Sequence, residues 1–424
     1  MKRQNRVLIN GRVIDPLSGV DEIREIYIRD GRIAAGHSSG EEIIDLAGKW
    51  VVPGLIDMHV HLREPGEEYK ETIASGCRAA AAGGFTAVAC MPNTHPVNDN
   101  AITTRFIVSR AAGCAARVWP IGAISTGLAG EKLAEMGEMK REGAVAVSDD
   151  GRPVVNSQLM RRAMEYAASH TLPVISHSED LALSRGGCMN EGALSTRMGL
   201  QGIPAAAEAV MVEREILLAE LTGARVHIAH VSTCQSVALL RLAKEQGLAV
   251  TGESAPHYFT LTEDAVRGYN TNAKMSPPLR SEADREAIIA ALADGVLDVI
   301  ATDHAPHSIL EKENEFASAA NGITGLETSL PLTLRLVRSG ALSVKRMVEL
   351  MSCNPAQILG VPGGSLAVGE VADITVIDPD VRWTFRAAES FSKGKNSPFD
   401  GVEMEGRAVM TFLEGERVSS GDIE

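Results

Sequence analysis

The chain has 424 residues, 45% of them hydrophobic and 23% charged, and a net charge of -14, enough for one large domain and a smaller one. That acidic balance argues against nucleic acid and anionic membranes as partners, while a local arginine and a metal can still hold an anionic substrate. No apolar run reaches membrane-spanning length, the basic start Met1–Arg6 is followed only by a short apolar patch and not by a signal peptide, and six scattered cysteines without a CxxC read as reduced thiols of a cytoplasmic protein.

Residues 1–50 read as short strands and turns. Arg6–Asn10, Gly11–Asp15, Ile26–Arg29 and Arg32–Ala34 alternate or run apolar, and Asn10-Gly11 and Asp30-Gly31 are hairpin-type turns. Residues 364–424 read alike, with strands over Ala372–Ile377 and Gly406–Leu413. Two β-rich ends around a different middle predict a composite β-sandwich of residues 1–51 plus 362–424, flanking a domain of residues 52–361.

The middle alternates strand and helix. Strand-like runs end near His61, Met91, Ile124, Asp150, His177, His230, Ser254 and Asp303. Helical stretches such as Ser157–His170, Ala205–Leu221, Ser236–Gln246 and Glu282–Ala293 lie between them. Glycines at 83–84, 143, 223 and 247 sit where helices stop. Eight strands alternating with helices predict an α/β fold, a (β/α)₈ barrel of the TIM type. A doubly wound open sheet is the alternative. It is weakened because no Gly-rich nucleotide loop follows the first strand.

A barrel carries its chemistry at the C-terminal ends of its strands. There the chain places His59 and His61, two residues apart and so on one face of the first strand. Strand four ends in Asp149-Asp150-Gly151, strand five in His177, strand six in His230 and strand eight in Asp303. Four imidazoles and two carboxylates suit zinc or a similar ion. Six ligands exceed one open tetrahedral site and suit two metals about 3.5–4 Å apart. Asp149 and Asp150 compete for one role, and spacing does not decide between them. His227 faces away from His230 and reads as structural, and His304 reads as supporting the site. His37, His95 and His170 read as ordinary, and His257 stays unassigned.

These residues bring a family into view. Asp57-Met-His-Val-His-Leu-Arg63-Glu-Pro-Gly66, Met91-Pro-Asn-Thr94, Ser148-Asp-Asp-Gly151, His227-Ile-Ala-His-Val-Ser232 and Ala301-Thr-Asp-His-Ala-Pro-His307 resemble the dihydroorotases of the bacterial class I type, in the amidohydrolase superfamily. Ala372–Asp378 resembles that superfamily's closing strand. The resemblance implies reversible ring closure of N-carbamoyl-L-aspartate to L-dihydroorotate in pyrimidine synthesis. It implies one Zn²⁺ on His59, His61 and Asp303, a second on His177 and His230, and Asp150 as the carboxylate of the Asp-Asp-Gly motif that reaches both. Many superfamily relatives bridge their metals with a strand-four lysine; Ala144–Gly151 contains none. A metal-bridged hydroxide would attack the ring amide, with Asp303 as general acid and base.

By the same resemblance Arg63, Asn93 and His307 bind the substrate carboxylate. Gly322-Ile-Thr-Gly325 offers backbone amides to the ring. Ser276 stands where many class I relatives carry asparagine, so its contact with substrate is a departure from the family pattern. The polar stretch Ser308–Asn321 is a lid candidate. A homodimer and aspartate transcarbamoylase are the implied partners. Two other readings compete: a hydantoinase, dihydropyrimidinase or allantoinase, and a non-catalytic scaffold for aspartate transcarbamoylase.

Overall fold

The computed structural model describes residues 4–37 and 39–420. Residues 1–3 of the basic N-terminal segment, Ser38, and residues 421–424 of the 362–424 stretch lie outside the described residues. Seven short strands come first: β1 (Arg6–Ile9), β2 (Arg12–Asp15), β3 (Val20–Ile23), β4 (Ile26–Arg29), β5 (Arg32–Ala34), β6 (Glu42–Asp45) and β7 (Trp50–Pro53). The predicted Asp30-Gly31 turn joins β4 to β5 as an antiparallel hairpin, with φ of +49° and +78° at its two residues. The predicted Asn10-Gly11 hairpin does not form. β1 pairs with β4 and β6, whereas β2 pairs with β3 and β7 in another sheet. The glycine serves packing here: a Cβ on Gly11 would lie 2.7 Å from Val51 Cγ2.

The barrel follows. Its strands are β8 (Leu55–Val60), β9 (Phe85–Cys90), β10 (Arg117–Ala123), β11 (Ala146–Ser148) and β12 (Val174–Ser176). A minor parallel pair, β13 (Met189–Asn190) and β14 (Gly202–Ile203), comes next, and then β15 (Val226–Ile228), β16 (Val250–Ser254) and β17 (Val299–Ile300) complete the eight. The eight run parallel in chain order. The sheet is closed by a parallel bridge from Val60 to His304, where the His61 amide donates to the His304 carbonyl at 2.8 Å. All residues of β8 and β9 are buried, as expected where helices cover one face and the barrel interior the other. The outer helices fall near their expected places: Ser157–Ser169, Ala206–Thr222, Cys234–Glu245 and Glu282–Asp294. Gly223 caps the second of these with φ of +68°. Among the described residues no helix is long and apolar enough to cross a membrane, and all six cysteines are free thiols.

Three strands close the chain: β18 (Ile374–Thr384), β19 (Glu403–Leu413) and β20 (Glu416–Ser420). They join β7, β2 and β3 in a six-stranded sheet ordered β20-β19-β18-β7-β2-β3. This faces the four-stranded sheet β5-β4-β1-β6 across a core that includes Leu8, Val13, Ile28, Val51, Ile374 and Phe412. Between β18 and β19 the chain leaves the sheet and crosses to the barrel mouth. Asn396 Nδ2 donates there to the carbonyls of Ala305 at 2.9 Å and Gly322 at 3.0 Å. A Cβ on Gly394 would lie 2.6 Å from Pro306.

Candidate active site

The six polar strand-end residues converge on one point. His59 Nε2 lies 3.5 Å from Asp150 Oδ1 and 3.4 Å from Asp303 Oδ1. His61 Nε2 lies 3.0 Å from Asp303 Oδ1 and 3.5 Å from Asp150 Oδ2. On the other side, His177 Nδ1 and His230 Nε2 stand 3.4 Å and 3.5 Å from Asp150 Oδ1, and 2.8 Å from each other. Three overlapping triads of these atoms are close enough to share an ion: His59, His61 and Asp150; His59, His230 and Asp303; Asp150, His177 and His230. Asp150 belongs to two of them and lies between the strand-one and strand-five sides. Its neighbour Asp149 turns away, accepting from the amides of Ile124 at 2.7 Å and Ser125 at 3.0 Å and from the Ser125 hydroxyl.

The local backbone aims these groups. His59 is the next-to-last residue of β8, and His61, Asp150, His177, His230 and Asp303 each follow their strand by one to three residues, where the chain is free of the ladder. His230 and Asp303 take φ of +35° and +47°, left-handed values that a non-glycine residue keeps only when its surroundings impose them.

A second ring of carboxylates orients the imidazoles. Glu253 on β16 is fully buried; its Oε1 takes the proton of His59 Nδ1 at 2.6 Å and its Oε2 meets His227 Nε2 at 3.1 Å. His227 also reaches Thr251 Oγ1 at 2.8 Å, so it is structural, as its spacing indicates. Glu179 holds His177 Nε2 at 3.0 Å. Asp57 accepts from the Thr302 amide at 3.1 Å, tying the first strand to the eighth beside Asp303. His304 donates toward Glu71 at 3.3 Å and accepts the Gly325 amide at 3.1 Å. The sequence reading missed Glu253 and Glu179. A charged residue inside the strand Val250–Ser254, and a carboxylate two places after a strand-end histidine, were the available signals.

The charge balance fits a cation. Burial opposes charge on His59, yet Asp303, Asp150 and Glu253 raise its pKa well above the ordinary histidine value. Burial opposes charge on His177 too, but Asp150 and Glu179 raise it to about 10. Asp150 is held well below the usual carboxylate range by the imidazoles, chiefly His59, against its burial. The carboxylates thus demand positive charge, which a divalent ion supplies without protonating its ligands. His59 Nε2 and Asp150 Oδ1 are buried without a hydrogen-bond partner and point into the cluster, the state expected of lone pairs kept for a metal.

A cavity of about 230 Å³ opens over the cluster, and Arg63, Asn93, Ser276 and His307 line it. Arg63 is buried at φ of +61°, with Nε donating to the Pro306 carbonyl at 3.2 Å and Nη2 lying 3.3 Å from His307 Nε2. No carboxylate stands within ion-pair distance of it among the described residues. Asn93 Oδ1 accepts from His61 Nδ1 at 2.8 Å, so this amide also orients an imidazole. Burial and the positive charge of Arg63 push His307 down to about 3, leaving a neutral imidazole.

Three of the four amides of 322–325 differ from the expectation. Those of Gly322, Thr324 and Gly325 are spent inside the protein, on the Lys274 carbonyl, the Asn396 carbonyl and His304 Nδ1. Gly322 instead provides room: at φ of +152°, a Cβ there would lie 2.6 Å from the Ala305 carbonyl and 2.7 Å from His307 Cδ2. The stretch Ser308–Asn321 includes a short helix, Ile309–Lys312, and its last residue, Asn321, lines the cavity.

A family model described as Dihydro-orotase-like matches residues 48–236. The chain is 64% identical over 413 residues to a dihydroorotase of Desulfotalea psychrophila (strain LSv54 / DSM 12343), covering 97% of this chain and 98% of that protein. It is 58% identical over 420 residues to a dihydroorotase of Geobacter sp. (strain M21), covering 98% and 99%. Among solved structures, an L-hydantoinase (dihydropyrimidinase) from Arthrobacter aurescens superposes with a TM-score of 0.89 at 26% identity, over 99% of this chain and 96% of that one.

Proposed function

Because this chain belongs to the dihydroorotase family, we propose that it catalyses reversible ring closure of N-carbamoyl-L-aspartate to L-dihydroorotate in pyrimidine biosynthesis. The observation that carries this reading is the buried Arg63 guanidinium, with no carboxylate at ion-pair distance among the described residues and set at the edge of six groups able to hold metal. An anionic substrate needs such a group; a neutral hydantoin does not. The strand-four stretch Ala144–Gly151, which lacks a lysine, points the same way. The six filled ligand positions speak against a scaffold without activity.

His59, His61 and Asp303 would hold one zinc ion, His177 and His230 a second, with Asp150 between them. When bound, the ions polarise the amide carbonyl and make the attacking water more acidic. Asp303 accepts that water's proton at its carboxylate and returns it to the departing ring nitrogen. In ring closure, Asp303 takes the proton of the attacking ureido nitrogen and gives it to the departing water. Arg63 offers a planar fork of donors to the substrate carboxylate. His307 and Asn93 complete that pocket wall, Ser276 faces the ring, and Gly322 keeps space open beside His307. Glu253 and Glu179 keep their imidazoles aimed.

We read residues 1–51 plus 362–424 as a composite β-sandwich domain and 52–361 as the catalytic barrel. By the same family reading the protein works in the cytoplasm as a homodimer, with aspartate transcarbamoylase as the macromolecular partner. The test is hydrolysis of L-dihydroorotate by purified protein with added zinc, followed by ultraviolet absorbance. Turnover that Asp303→Ala abolishes is expected. No turnover with two metals bound, alone or with aspartate transcarbamoylase, would overturn the reading, and hydantoin and dihydrouracil would then be assayed.

A further inference from the structure

Two buried lysines hold the stretch that follows His307. Lys312 is 3% exposed, and its Nζ donates to the carbonyls of Ala320 at 2.8 Å and Gly322 at 3.0 Å, with the Lys274 carbonyl at 3.5 Å. Lys274, 4% exposed, donates from Nζ to the carbonyls of Ala317 at 2.9 Å and Ala319 at 2.6 Å. Neither amine has a carboxylate partner among the described residues. Burial and the neighbouring Lys274 push Lys312 down to about 7. An amine so placed contributes no ion pair; it satisfies backbone carbonyls that would otherwise be buried without donors.

The carbonyls it satisfies are the informative point. Ala320 and Gly322 flank Asn321, whose own carbonyl lies 2.8 Å from His307 Nε2 and accepts its proton. Asn396 grips the same segment from the other side. Its Nδ2 donates to the Gly322 carbonyl at 3.0 Å, and its Oδ1 accepts the His307 amide at 2.9 Å. The backbone that orients the His307 ring is therefore pinned on both flanks, by one lysine on a helix of the stretch and one asparagine from the far side of the sequence.

We propose that Lys312 is a positioning residue for the reaction: it fixes the 320–322 backbone so that the His307 ring keeps its place beside Arg63 in the wall of the substrate pocket. The proposal rests on the role given to His307 above. The hydrogen bonds of Lys312 go to backbone carbonyls and to no side chain of the cluster or the cavity lining, so its effect runs through the backbone that holds His307.

The test is a double-mutant cycle of Lys312→Met, His307→Ala and the pair, with steady-state kinetics on L-dihydroorotate, metal content and melting temperature. Lys312→Met is expected to raise KM about 10- to 100-fold, the size of a misaimed binding group, with kcat little changed and both metals retained. In the His307→Ala background the same change is expected to add less than about twofold. Equal losses in both backgrounds, or an unchanged KM in Lys312→Met, would overturn the proposal. If Lys312→Met does not fold, Lys312→Gln, whose donor nitrogen lies one bond closer to the backbone and so falls short of these carbonyls, runs the same cycle and is judged the same way. If the wild-type protein does not turn over dihydroorotate, the functional reading fails, and the nitrogen NMR signals of the His307 ring decide the positioning. A shift in Lys312→Gln supports it; identical spectra refute it.

Discussion

Replacing Glu253 by glutamine tests whether the buried carboxylate behind His59 prepares the metal site. Glu253 accepts from His59 Nδ1 at 2.6 Å, from His227 Nε2 at 3.1 Å and from the His230 amide at 3.4 Å. Glutamine has nearly the same volume, but only one of its two terminal groups accepts. Whichever way the amide is turned, one imidazole meets an NH₂ where it had an oxygen. The bond to His59 also drops from charge-assisted, about 1.5–3 kcal/mol, to neutral, about 0.5–1.5 kcal/mol. Together these cost about 1.4–2.7 kcal/mol of metal binding, a 10- to 100-fold weaker Kd for the ion held by His59. Zinc affinity measured by competition with a chromophoric chelator reads this directly. Glu179→Gln, which acts on His177 at 3.0 Å, should weaken the other ion instead. A Glu253→Gln protein that binds both ions with wild-type affinity would refute the claim that this carboxylate orients His59.

Four further outcomes are expected. Arg63→Lys keeps the charge but loses the fork, and kcat/KM for dihydroorotate should fall by roughly 10- to 100-fold with metal content unchanged, read by steady-state kinetics and metal analysis. Asp303→Asn removes the proton acceptor and should lower kcat by about 10²–10⁴-fold, measured in the same assay with zinc in excess. Gly322→Ala forces a side chain against Ala305 and His307 at φ of +152°, and should cost about 1–3 kcal/mol in urea unfolding and raise KM. Lys312 has a folded pKa near 7 against about 10.4 in the unfolded chain. Between those values the unfolded state binds the extra proton, so this residue's contribution to stability rises with pH, by up to about 1.4 kcal/mol per unit. Urea titrations of wild type and Lys312→Met across pH 7–10 should diverge accordingly; parallel curves would contradict it.

The barrel and the cluster at its mouth were legible because each signal was local. An apolar run ending in a histidine or aspartate marks a strand and its C-terminal end together, and the residues so marked, from His59 through Asp303, come together in the structure. Asp149 and Asp150 were not separable by spacing, since the choice depends on which carboxylate the Ile124 and Ser125 amides capture. Glu253 and Glu179 escaped notice because their partners lie on other strands. The Asn10-Gly11 turn misled because its composition suits a hairpin, while the chain crosses between sheets there and the glycine answers to Val51. The amides of Gly322, Thr324 and Gly325 looked free because their acceptors, Lys274, Asn396 and His304, come from remote segments.

The strand hand-off at Gly54 has a consequence for the order of events during synthesis. β7 ends at Pro53 and β8, which carries His59, begins at Leu55. β7 is paired along Trp50–Pro53 with Ile374–Ile377 of β18, and the Gly54 amide donates to the Asp373 carbonyl. The first metal-bearing strand to leave the ribosome is thus anchored by a segment made more than three hundred residues later. A chain that ends before β18 keeps the pairing of β8 with β9 but lacks the antiparallel partner of β7, the strand that runs directly into β8 and so into His59 and His61.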